Sequence, residues 1–200
     1  MGNDIICIAR EFGSGGHEIA VRAARALGIR VYEKDIFRLA CKYGELSESM
    51  MESADEAATN PLLFRTVHDG NYNVARGLPT SEVLFQLQSH EIRKIAVQES
   101  CIFVGRCADF VLRDEDVDLL KVFVHAPETW RIQRKMEQEH LSRDKAARLV
   151  RKMDKQRKKY YETYTGQVWG SPSGYDLCLD TGQMGLEAAT EAVCTAYRAM

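Results

Sequence analysis

The sequence predicts an α/β fold, a parallel sheet covered by helices. Three apolar, β-branched runs, Ile5–Ala9, Cys101–Val104 and Leu119–Val124, are near-continuous rather than alternating. That is the pattern of strands buried on both faces. Long stretches of helical periodicity separate them, and strand–helix alternation belongs to sheets built from βαβ units. At 200 residues the chain sits at the upper end of one ordinary domain, so a single core is expected.

Taken in order, Ile5–Ala9 is the first strand and runs into a glycine-rich turn, with a helix over His17–Leu27. Val31-Tyr32 is the faintest strand signal, and Lys34–Tyr43 follows as a helix. The acidic segment Glu45–Glu56 reads as a short helix, and Thr59–Pro79, with Pro61, Pro79 and several Asn and Gly, as a loop. Ser81–Glu99 is helical, Cys101–Val104 and Leu119–Val124 are strands, and Pro127–Glu139 and Arg143–Tyr164 are helices. Tyr175–Leu179 is a short last strand. Gly185–Met200 closes the chain as a helix whose Leu186, Ala189, Val193 and Ala196 suit the core or the face of a homodimer.

Charge and cysteine usage narrow the function. The 27 basic and 29 acidic residues leave a net charge of −2, which argues against a protein that embraces nucleic acid along a broad basic face. None of the six cysteines forms a C-x-x-C pair, and no Cys/His cluster has metal-ligand spacing. Cys7 and Cys178 lie within apolar runs, so reduced core thiols and a cytoplasmic location are expected. No basic stretch followed by an apolar one opens the chain, and no run approaches 18 apolar residues, so no membrane partner is expected. The mean hides an uneven distribution: Arg143–Lys159 carries nine basic residues against two acidic ones.

Three features point to chemistry. Arg10-Glu-Phe-Gly13-Ser14-Gly15-Gly16-His17 lies between a buried strand and a helix N-terminus. In that setting backbone N–H groups and the helix dipole cradle phosphate, and Ser14 can add a hydroxyl donor. An ordinary glycine-rich βα turn is the plainer reading. Against G-x-x-x-x-G-K-[ST], Arg10 stands at the first glycine, Gly16 at the lysine and Glu18 at the Ser/Thr. The missing cation must come from elsewhere, with Arg10 the local candidate. Arg106 follows a buried strand and Gly105, at the sheet edge where α/β ligands gather, and can fork onto a phosphate or pair with Asp109. Arg151, Asp154 and Arg157 recur at intervals of three, which places them on neighbouring positions of one helix. The carboxylate can hold one guanidinium while the other meets an anion. A solvated face and a nucleic-acid contact compete for the same run, the latter weakened by aromatics that come late, at Tyr160, Tyr161 and Tyr164.

Together the loop from Arg10 to Ile19, the segment Leu27–Phe37, the Val104-Gly-Arg-Cys-Ala-Asp109 turn, the Arg151–Arg157 helix with Tyr160-Tyr161, and Tyr175–Thr181 resemble the cytidylate kinase-like family. This is a branch of the P-loop nucleoside monophosphate kinases, and the resemblance runs from about Ile5 to Tyr197. It implies a three-layer α/β/α P-loop NTPase-like fold with a five-stranded parallel sheet in one domain. A helical acceptor-binding arm would cover about residues 35–99 and a lid about residues 131–164. By the same resemblance, Gly13, Ser14, Gly15, Gly16 and His17 surround the phosphates of ATP, which arrives with Mg2+. Arg106 grips the acceptor's phosphate, with Tyr32, Asp35 and Asp109 in the acceptor pocket. Asp35 could equally cap its own helix. Arg151 and Arg157 close over the transferring phosphoryl group, with Asp154 orienting them and Arg10 beside the loop. The implied activity is ATP-dependent phosphoryl transfer to a nucleoside monophosphate, CMP or dCMP, or to a similar small anion. The absent loop lysine and Ser/Thr leave a second reading open: a nucleotide-binding protein of this fold with little or no turnover.

Overall fold

The computed structural model describes residues 2–48 and 80–200. Most of the acidic Glu45–Glu56 segment and the Thr59–Pro79 loop lie outside the described residues. Five strands form one all-parallel sheet: β1 (Asp4–Arg10), β2 (Arg30–Tyr32), β3 (Cys101–Val104), β4 (Asp118–His125) and β5 (Leu177–Asp180), in the order β2-β3-β1-β4-β5. Around it pack α1 (Gly16–Leu27), α2 (Lys34–Tyr43), α3 (Thr80–Ala96), the single turn α4 (Ala108–Val111), α5 (Glu128–Glu139), α6 (Arg143–Thr165) and α7 (Thr181–Arg198).

β1 is the middle strand, and its sequence shows it. Ile5, Ile6 and Ile8 are buried, and because successive side chains alternate, they feed two different cores. On one face Ile6 and Ile8 meet Val104, Val122 and the α1 and α7 residues Ile19, Ala23, Ala189 and Val193. On the other, Ile5 and Cys7 meet Phe103, Ile92, Val111 and Leu112. A strand with apolar partners on both sides has no polar face to show, which is why its run is continuous. The register places Ile8 beside Val104, the last residue of β3, and Arg10 beside Val124, so β4 runs alongside β1 to its end while β3 stops two residues short of it.

The elements depart from the sequence reading in a few places. The last strand begins at Leu177, and Tyr175 is instead a buried side chain packed on Phe123. The last helix starts at Thr181, capped by Asp180, and bends at Gly185 (φ 76°, ψ 168°). Its Ala189, Val193 and Cys194 face the core. Cys178 is exposed, because β5 is an edge strand and alternate side chains there have no neighbour to cover them, whereas the other five cysteines are buried. All six are free thiols. Among the described residues, no helix is long and apolar enough to cross a membrane.

Candidate active site

In a sheet of this order the connections from β1 and β3 leave in opposite directions, and the crevice between their carboxyl ends is where ligands bind in such sheets. Three arginines from separate segments line one cleft there: Arg10 at the end of β1, Arg106 after β3, and Arg157 from α6. Asp109, Tyr160 and Tyr161 line it with them.

The glycine loop bends from β1 into α1 with Gly13 at φ 82° and Gly15 at φ 91°, left-handed values that a side chain would strain. A Cβ at Gly13 would also lie 3.2 Å from the Arg131 carbonyl oxygen. α1 then begins at Gly16, so the loop ends on a helix N-terminus. Ser14 does not offer its hydroxyl outward. It is fully buried and donates to the carbonyl oxygens of Glu11 (2.8 Å) and Val124 (3.0 Å). Its own carbonyl oxygen accepts the Thr181 hydroxyl at 2.6 Å. The expected donor is therefore a brace that ties the loop to β4 and α7.

Arg10 takes the space that a lysine at position 16 would need. A Cβ on Gly16 would lie 2.6 Å from the Arg10 Cβ and 2.9 Å from its Cγ. The side chain continues over Gly105, where a Cβ would run into Nη1. Its Nη2 donates to Glu33 Oε1 (2.8 Å), while Glu33 Oε2 meets His17 Nδ1 at 2.5 Å. Burial alone would raise the Glu33 carboxyl, but Arg10 and His17 outweigh it and hold the pKa below its ordinary value. Counted from Arg10, the hydroxyl position of a Walker-type loop falls on His17 rather than on Glu18. Glu18 belongs to another contact, with Arg134 Nη2 at 2.5 Å.

After β3 the chain makes three left-handed residues in a row, Gly105 (φ 74°), Arg106 (φ 61°) and Cys107 (φ 54°). For the two non-glycine residues this conformation is strained, and strain of this kind gathers at functional sites. It puts Arg106 at the cleft and turns Asp109 to its floor. Tyr161 donates to Asp109 Oδ2 at 2.8 Å. Burial raises the Asp109 carboxyl above its ordinary value, with the Tyr161 hydrogen bond working against it.

α6 separates the three residues that the sequence groups. Each step of three along a helix turns the side chain back by about 60°, so Arg151 and Arg157 diverge by about 120°. Arg157 faces the cleft and donates to the Arg10 carbonyl oxygen at 3.1 Å. Burial, then the charge of Arg10, pushes its pKa down to about 9. Arg151 is instead exposed on Glu128 at 2.8 Å, outside the cleft. Asp154 orients neither of them through a hydrogen bond. Its carboxylate holds Arg131 and the Phe12 N–H. Tyr32 is buried against Phe103 and bonds Glu99, and Asp35 is exposed beside Arg38, so neither lines the cleft. Sequence reasoning missed Arg131, Glu33 and Tyr161 as parts of this region. Tyr161 follows Tyr160 in a motif already singled out, whereas the partners of Arg131 and Glu33 are set by distant segments.

A model of the cytidylate kinase-like family matches residues 5–183. A protein from Eubacterium ventriosum ATCC 27560, itself described as uncharacterized, superposes with a TM-score of 0.72 at 28% identity, covering 99% of this chain and 100% of its own. Shikimate kinase from Bacteroides thetaiotaomicron gives 0.54 at 10% identity over 98% of each chain. Shikimate kinase from Acinetobacter baumannii in complex with shikimate gives 0.54 at 11% over 98% of this chain and 94% of its own. At such identities the two kinases speak for the fold alone. No curated protein matches the chain by sequence.

Proposed function

The chain belongs to the cytidylate kinase-like family, and from that premise we propose that it transfers the γ-phosphoryl group of ATP to a small phosphorylated acceptor, with CMP and dCMP the first candidates. Family and fold together support the coarser statement, phosphoryl transfer to a small substrate. The observation that carries the reading is the convergence of Arg10, Arg106 and Arg157 on one cleft beside the glycine loop. Burial depresses the pKa of both Arg10 and Arg157, and their arginine neighbours add to it against the opposing charge of Glu33, which suits a site that takes up a further anion.

In this reading the backbone of Gly13, Gly15 and Gly16, with His17, surrounds the donor phosphates. Arg10 supplies the positive charge that the loop lysine supplies elsewhere. Arg106 holds the acceptor's phosphate near Asp109, and Arg157 faces the group in transit. An acceptor oxygen forms the new bond to the γ-phosphorus as the bond to the β,γ-bridging oxygen breaks, and ADP leaves. The protein's work is positioning and charge neutralisation. Among the described residues, no three His, Cys, Asp or Glu side chains cluster so as to hold a metal, and the Ser14 hydroxyl is turned inward. Mg2+ would arrive on the nucleotide's own phosphates and supply charge neutralisation there.

The test is a coupled assay with ATP and a panel of nucleoside monophosphates and hydroxylated small acids, paired with calorimetry. Transfer to a nucleoside monophosphate is expected. ATP binding with transfer to none of them overturns the kinase reading in favour of a nucleotide-binding protein, which Gly16 at the lysine position would favour.

A further inference from the structure

The glycine loop is gripped from outside by a closed ring of hydrogen bonds, and we propose that Arg131 and Asp154 are positioning residues that set the loop's shape from the α5–α6 hairpin. The ring is made at Phe12, the residue between β1 and the first loop glycine. Its N–H donates to Asp154 Oδ1 at 2.7 Å. Its carbonyl oxygen accepts from Arg131 Nη1 at 3.1 Å. The same Nη1 donates to Asp154 Oδ2 at 2.5 Å, which closes the circuit. Both polar groups of one residue's backbone are thus read by one ion pair.

The grip extends to either side. Arg131 Nε donates to the Ala126 carbonyl oxygen at 2.9 Å and lies 3.2 Å from Glu11 Oε2, which also accepts the Ala126 N–H at 3.1 Å. One guanidinium therefore joins the loop after β1 to the turn after β4. The Phe12 ring lies under Lys135 Nζ at 4.5 Å and near the Arg157 guanidinium at 5.4 Å. Gly13 rests on the Arg131 backbone, too close for a Cβ without adjustment. Arg157, one turn beyond Asp154, bonds the Arg10 carbonyl oxygen. Residues 10–13 are fixed to α5 and α6 at every step.

A buried ion pair is weak evidence for stability, since desolvation offsets much of its attraction. The Arg131 side chain is only 6% exposed, and it holds Glu11 and Phe12 of the loop together with Ala126 and Asp154. The arrangement suits an element that must be held in one geometry, because backbone N–H groups help a transition state only when already in place. It also ties the hairpin to the loop, and Arg157 lines the cleft in this arrangement. The catalytic part of this inference rests on the kinase reading above; the structural part does not.

The test compares the full-length wild type with Asp154→Ala, Asp154→Asn and Arg131→Lys by hydrogen exchange of amides 11–16, ATP calorimetry, melting temperature and turnover. Asp154→Ala should exchange its Phe12 amide at least about tenfold faster and bind ATP about ten- to a hundredfold more weakly, the usual effect of removing a support behind a site. Asp154→Asn keeps an acceptor for the Phe12 N–H and should fall between. A folded Asp154→Ala with wild-type loop exchange and ATP affinity overturns the proposal. So does a lowered melting temperature with both of those untouched, which is the signature of a merely structural pair. If Asp154→Ala does not fold, the other two variants decide by the same criteria. A wild type that binds ATP and transfers to no acceptor defeats the kinase reading, while loop exchange and ATP affinity still decide this one. A wild type that binds no ATP leaves the decision to loop exchange alone.

Discussion

A buried arginine can run along a backbone only where no side chain stands in its way, and Arg10 passes two glycines, Gly16 with its Cβ and Cγ and Gly105 with its guanidinium. Gly105 also sits at φ 74°, so an alanine there strains the backbone and pushes the Arg10 guanidinium aside. Gly105→Ala should cost about 1–3 kcal/mol of stability, measured by urea unfolding. The displaced Arg10 should weaken ATP binding further, by about tenfold or more if it loses one charge-assisted hydrogen bond. Arg10, Arg106 and the glycines were legible in the sequence because each follows directly from a buried strand, and the position itself says where the side chain stands. Glu33 and Arg131 were not, because their meaning lies in partners such as Arg10, Phe12 and Ala126 that only the folded topology brings near. The Ser14 hydroxyl was misread for a related reason. A serine in a glycine loop can donate to a ligand or to the protein, and the choice depends on carbonyl groups 3 and 110 residues away.

At the scale of the element, α6 shows what a helical repeat does and does not say. Residues three apart are neighbours, but residues six apart already face different partners, so Arg157 lines the cleft while Arg151 sits in solvent on Glu128. Arg151→Ala should therefore leave kcat and KM within about twofold, since an exposed pair contributes little. Arg157→Ala should lower kcat by about a hundredfold, as expected when a group aimed at the transferring phosphoryl is lost. Steady-state kinetics with the acceptor identified in the panel assay separates the two. Strands were legible in proportion to their burial. β1, β3 and the apolar part of β4 came out plainly, β2 and β5 only faintly, because edge strands of three and four residues carry few apolar positions. The single turn α4 went unseen, since four residues are too few to show a period.

At the scale of the whole molecule, a chain with a net charge of −2 sets three arginines at one end of a parallel sheet and balances one of them locally. Glu33 is the balancing carboxylate for Arg10 and also meets His17 Nδ1. Its pKa is depressed below the ordinary 4.5, so its contribution to stability is complete above about that pH and is lost as pH falls through the lower folded value. Glu33→Gln should therefore lower the unfolding free energy by about 1–2 kcal/mol at pH 7, and the gap to wild type should close under acid. Urea titrations at a series of pH values read this directly, and a gap that stays constant into acid would rule it out. The path of Arg10 over Gly16 and Gly105 also carries a consequence for descent. A lineage that acquired lysine at position 16 with Arg10 still present would set two side chains in one space, and one that lost Arg10 first would leave its loop without a cation. Positions 10, 16 and 105 are therefore expected to vary together rather than singly, since a change at 10 or 16 alone meets a missing charge or a clash.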